Sequence, residues 1–161
     1  MSVVESVISG VRSVIVPLSV QRLLLPNASV AEVVDYVQLD SLPDAPEWLL
    51  GQLEWRQRLI PVVSFSRLLH DPEEEGHRLR IAVCNTLGAD PGLPFIGLKS
   101  SAIPHLVRAT QSNIAAASAP VDAVNNPAVL RAVRIGEEDA LIPNLGELEV
   151  MVKQAWSPPA G

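Results

Sequence analysis

Apolar residues in this chain come in short runs separated by polar or proline-rich breaks, a rhythm that predicts strands joined by tight turns. Residues 11–18 are β-branched at Val11, Val14, Ile15 and Val16, and residues 20–25 follow closely, so 18–21 predicts the turn of a first hairpin. Pro26, Asn27, Ala28 and Ser29 break the second run. Asn27 or Ser29 stands where it would cap a short helical turn over 30–32, and 33–39 reads as extended. Two runs, 49–53 and 59–63, flank a polar segment with Arg56 and Arg58, the signature of a central hairpin. Pro61 cannot donate to a ladder, which predicts an edge position at that residue at least. Ser66 is placed to cap one helical turn over 67–69.

Beyond this point lies the clearest break in the pattern, the acidic loop 71–77. Residues 79–86 and 93–98 then read as strands around the turn cluster Gly88, Ala89, Asp90, Pro91 and Gly92. Residues 100–126, with the low-complexity stretch 115–120, give no clear element. Regularity returns with strand 129–135, turn 136–139 and return 140–143. Asn144 then heads an amphipathic helix with Leu145, Leu148 and Val152 on one face.

The 161 residues suffice for one domain with a real core, or two small subdomains sharing one. An apolar share of 48% against 19% charged is that of a globular chain. No apolar run approaches the roughly 20 residues that span a bilayer, and the N-terminus lacks the basic region of a signal peptide, so a cytoplasmic location is expected. The single cysteine, Cys84, excludes an intrachain disulfide and a cysteine-based zinc cluster, and its apolar run makes it a small buried hydrophobe.

A formal charge of −6 argues against a broad nucleic-acid surface. The arginines at 56, 58, 67, 78 and 80 still form a local basic cluster, read either as a solvated rim or as a patch for an acidic protein partner. Phosphate-loop, HExxH and G-x-S-x-G motifs are missing, and His70, His77 and His105 are scattered beside loops. The expectation is a protein that is not an enzyme and needs no cofactor or metal.

The central hairpin resembles the CheW-like coupling domain of bacterial chemotaxis-type signalling. That family's motif, roughly W/F-h-x-G-x-x-N-h-R-G-x-h-h-P-h-h-D-h with h apolar, is matched by Trp48, Leu49, Gly51, Trp55, Arg56, Leu59, Ile60, Pro61, Val62, Val63 and Phe65. Glu54, Gln57 and Ser64 depart, standing for Asn, Gly and Asp. A second match precedes it, with Leu25 and Pro26, then Val30, Glu32 and Val33 at the family's spacing. Gly97 matches a third, mid-domain glycine, while Ser101 replaces the family's Asp.

This resemblance implies an all-β fold of two intertwined, SH3-like, five-stranded barrels around a shared core, with short helices. The domain would span 11–152, with an arm at 1–10, a tail at 153–161 and a subdomain boundary near 71–78. It also implies a non-enzymatic adaptor between a chemoreceptor's cytoplasmic tip and the regulatory domain of a histidine autokinase. Nucleic acid and direct membrane insertion are not expected. Residues 23–36 look closer to adaptors of type IV pilus (twitching) signalling than to flagellar ones. The alternative function is a stand-alone β-barrel binding module unrelated to receptor–kinase coupling.

Val30, Glu32 and Arg56 fall at positions the family's motifs mark, and Trp55 and Arg58 beside them complete the expected partner-binding set. Arg56 either meets a partner carboxylate or bridges internally to Glu32 or Glu54. A far-ultraviolet dichroism spectrum of the purified chain should be dominated by strand; a helical spectrum would contradict the whole pattern.

Overall fold

Strands alternate with turns along a computed structural model that describes residues 9–88 and 90–158. The strands are β1 (Ser9–Pro17), β2 (Arg22–Pro26), β3 (Val30–Asp35), β4 (Leu49–Trp55), β5 (Arg58–Val63), β6 (Arg80–Asn85), β7 (Phe95–Ser100), β8 (His105–Thr110), β9 (Ile114–Ala116), β10 (Val129–Ile135) and β11 (Glu138–Pro143). Two helices, α1 (Phe65–Leu68) and α2 (Leu145–Ala155), follow β5 and β11. A six-stranded sheet has the order β8-β1-β2-β11-β10-β9, and a five-stranded sheet the order β3-β6-β7-β5-β4. The first hairpin therefore joins the last: β2 meets β11 in parallel at Leu23 and Leu141.

Period-two alternation sorts the apolar residues into three clusters. Ile15, Leu24, Val133, Ile135 and Ala140 share one face of the first sheet, with Val107 of β8 and Ile114 of β9 packed on them. Both edge strands thus reach the same small cluster, so the sheet curls around it. The second sheet does the same with Leu53, Trp55, Ile60, Val62, Ile81 and Val83, joined by Val34 of β3 and Phe95 of β7. The opposite faces meet in a shared core: Val14, Val16, Leu23, Leu25 and Leu141 from one sheet; Leu49, Val63, Ala82, Ile96 and Leu98 from the other. Phe65, Leu148, Val152 and Trp156 fill the space between them. Two β subdomains around one core is the expected architecture, with a sixth strand in the first because β9 adds to β10.

Several local expectations give way. Residues 30–32 are strand, not a helical turn; the turn is a short 3-10 segment at Asn27–Ser29, and β3 pairs with β6 from Val30 onward. Ser64, not Ser66, caps α1 by accepting the Arg67 N–H. Residues 100–126 hold two strands, β8 and β9, whose pairing with β1 and β10 is not local.

The acidic loop does not divide the sheets, since β5 before it and β6 after it both belong to the second. Of the expected arm, residues 1–8 lie outside the described residues, while Ser9 and Gly10 belong to β1. At the other end α2 runs to Ala155, and the buried Trp156 donates its Nε1–H to Gln52 Oε1 at 3.1 Å, so 153–155 is helix and Trp156 is docked rather than loose; 159–161 lie outside the described residues.

Pro61 illustrates how a local rule was met differently. Strand β5 lies between β4 and β7, so it is not an edge. Yet Gln52, opposite Pro61, spends both its N–H and C=O on Asp40. The Gln52–Pro61 pair is therefore a non-hydrogen-bonded one, and pairing with β7 begins only at Val62. The missing donor therefore costs the β4–β5 ladder nothing, and the ladder to β7 starts one residue beyond it.

Glu74, from the acidic loop, is 1% exposed and sits at the seam between the sheets. Its carboxyl group accepts from the hydroxyls of Ser64 and Ser66 and, at 3.0 Å, from the Ser19 N–H in the β1–β2 turn. The neighbouring Glu73 pairs with the buried Lys99 at 2.6 Å and with Arg67 at 3.3 Å, and the Lys99 ammonium lies 4.5 Å from the Tyr36 ring centroid.

Removing the Glu74 carboxyl leaves buried donors without acceptors, each costing about 1–3 kcal/mol. Glu74→Ala should lower stability to urea by roughly 3 kcal/mol, and Glu74→Gln by clearly less, because the amide keeps an acceptor oxygen. Burial pushes the Cys84 thiol up to about 12. It should therefore stay unreactive toward an aromatic disulfide in the native protein and react fully in denaturant.

Candidate functional site

Strands β4 and β5 are joined by a two-residue turn, Arg56 and Gln57, with φ of 48° and 64°. Both residues are left-handed, the geometry that matches the twist of a hairpin and ordinarily selects Asn-Gly. Gln57 stands where the resembling family has glycine, so it pays the steric cost of its Cβ. The tight turn places Trp55 directly opposite Arg58, on one face and at the rim of the second sheet's own cluster.

Five side chains converge there: Glu32, Trp55, Arg56, Arg58 and Phe95. The Trp55 Nε1–H donates to Glu32 Oε1 at 3.1 Å, and Arg56 Nη2 donates to the same oxygen at 3.1 Å. The Arg56 guanidinium also lies over the Trp55 ring, 4.5 Å from its centroid. Trp55 itself is 7% exposed and meets Phe95 edge to face, centroids 4.7 Å apart. Arg58 lies 5.9 Å from the Phe95 centroid.

Of the two internal partners open to Arg56, Glu32 is the one taken; exposed Glu54 has no ion pair or hydrogen bond among the described residues. With side chains 66% and 42% exposed, the bridge is worth no more than about 1 kcal/mol. Its effect is to fix where the guanidinium sits.

Val30 does not join this group. A bulge between Val30 and Glu32 inserts Ala31 into β3. It turns Val30 toward Cys84 and the shared core, while Glu32 pairs with Val83 on the other face. The family's motif marks both residues; the bulge puts them on opposite faces. Phe95 was not among the expected residues, and the signal available was the scarcity of aromatics, six in the chain, with one heading a strand after Pro94.

The cleft between β6, β7 and α2, lined by Cys84, Ile96, Leu98, Leu145, Leu148 and Glu149, offers about 10 Å³, room for one water at most. Glu149 there already accepts the Gly88 N–H at 2.9 Å. No cluster of three potential metal ligands occurs among the described residues. No helix among them is long and apolar enough to cross a membrane.

Two curled sheets sharing one core, with strands from both chain ends in the same sheet, define a two-subdomain β fold. The family model of the CheW-like domain matches residues 12–150, and the chain belongs to that family. The fold is similar to that of the scaffolding protein TtCheW from Thermoanaerobacter tengcongensis, with a TM-score of 0.70, 20% identity, and coverage of 84% of this chain and 85% of that one. At that identity the likeness speaks for the fold. A search of curated proteins gave no match. The family is one of chemotaxis scaffolds, non-enzymatic in general.

Because one Glu32 oxygen serves two donors, its substitutions should separate. Glu32→Gln loses the ion pair but keeps an acceptor for Trp55, whereas Glu32→Ala loses both and should cost about 1 kcal/mol more in a denaturant titration. Gln57→Gly should stabilise the hairpin by about 1 kcal/mol, by relieving the left-handed strain.

Proposed function

We propose that this chain is a non-enzymatic adaptor that couples the cytoplasmic tip of a methyl-accepting chemoreceptor to the regulatory domain of a histidine autokinase. It acts in the cytoplasm at membrane-associated receptor arrays, in the branch that serves type IV pilus motility. The observation that carries this reading is the rim on the β4–β5 hairpin of a CheW-like domain. There Glu32, Arg56 and Arg58 surround a buried Trp55, with the Arg56 guanidinium held by Glu32 and Arg58 left exposed. A buried aromatic with charged groups at its margin is the composition of an interface anchor. Val30 contributes by packing under β3, from the side of the shared core. The chain's charge of −6 makes a nucleic-acid partner unfavourable. The pilus assignment rests on the phrase at 23–36, and a kinase and receptor encoded beside this chain would identify the pathway.

The test is a titration of the full chain against a purified receptor tip and a purified kinase regulatory domain, separately and together. An adaptor binds each of them and bridges both in one ternary complex. A chain that binds neither is the stand-alone module instead.

A further inference from the structure

Deepening that reading, the geometry also distinguishes between the two arginines of the rim. Arg56 is committed within the molecule, to Glu32 and to the Trp55 face. Arg58 is exposed and has no carboxylate within ion-pair distance among the described residues. Arg12, Arg78, Arg108 and Arg131 share that lack, but among these five only Arg58 lies against an aromatic ring. At 5.9 Å from Phe95 it stands at the outer limit of a cation–ring contact, where the head is steered without being held. Phe95 is itself fixed edge to face against buried Trp55. With Glu32 and Arg56 paired, Arg58 carries the uncompensated charge on the Trp55 face of the hairpin, while exposed Glu54 lies on the other face of β4.

We propose that Arg58, steered over the Phe95 ring, is the cation that receives a carboxylate of the protein partner, and that Phe95 is the residue that positions it. An aromatic shelf lowers the entropy lost when a long side chain is fixed on binding, and a planar guanidinium meets a carboxylate with two parallel hydrogen bonds. A carboxylate of a folded protein fits better than a polyanion, because a strand of phosphates would also meet the chain's net negative charge. Arg56, by contrast, holds the shape of the rim.

The assignment rests on the adaptor reading, and its test separates the two. The full chain and its Arg58→Ala, Arg58→Lys, Phe95→Leu and Phe95→Tyr variants are titrated against the purified receptor tip and kinase regulatory domain at low and high salt, with thermal melts alongside. Arg58→Ala should melt like the parent, bind at least one partner tenfold or more weakly, and lose part of the parent's salt dependence. Arg58→Lys should recover only part of the affinity. Phe95→Tyr, which keeps a ring face, should bind like the parent, while Phe95→Leu should reproduce part of the Arg58→Ala loss.

Parent-like affinity and salt dependence of Arg58→Ala for both partners would overturn the assignment and leave the adaptor intact. Equal binding by Phe95→Leu and the parent would overturn the role of Phe95. A parent that binds neither partner would sink the adaptor reading, and this assignment with it.

Discussion

A carboxyl group buried between two sheets needs its donors in place before the sheets can close. Glu74 finds them in three separate segments: the β1–β2 turn at Ser19, the N-cap of α1 at Ser64, and Ser66 in the first turn of that helix. Each donor arrives correctly only if the first hairpin, the central hairpin and the acidic loop are all in register. An apolar core alone tolerates sliding, because burial is non-directional. A satisfied polar group within it does not. Next to it, Glu73 ties the loop to Lys99 on β7 and Arg67 on α1, so two of the three consecutive glutamates are consumed internally while Glu75 stays exposed.

The hairpin rim depends on the same order. Trp55 is fixed because it closes the cluster inside the second sheet, with Ile60 and Val83 beneath it and Phe95 at its edge. Only a fixed indole can present Nε1 to Glu32 and a face to Arg56 at once. Glu32 in turn faces the rim because a bulge in β3 changes the phase of the strand at Ala31. Weak surface contacts thus become a defined arrangement through the rigidity of what lies below them, although the Arg56–Glu32 bridge itself adds little stability.

Burial also sets the chemistry. The one thiol is enclosed in the shared core, and the carboxyl of Glu149 is turned onto a backbone N–H at Gly88. Exposed at the hairpin end of the second sheet is a rim of charged groups on an aromatic support.

Alternation along the strands and the helical apolar face behind Asn144 are local information, and the sequence determined from them most of the hairpins, the capped C-terminal helix and the burial of Cys84. Motif spacing added the fold, because the apolar frame around Trp48, Gly51 and Pro61 is a packing requirement written in consecutive residues. Only the tertiary structure decided which strands are neighbours. The joining of β2 to β11, the place of β8 and β9, and the interior position of β5 depend on contacts between residues far apart in the chain, to which local periodicity is blind. The bulge that parts Val30 from Glu32 was hidden for the same reason: its cause is pairing with β6. Burial of Glu74 and Trp156 was equally unreadable, since an acidic loop and a proline-rich tail look solvent-exposed until their partners, Ser19, Ser64, Ser66 and Gln52, are brought to them.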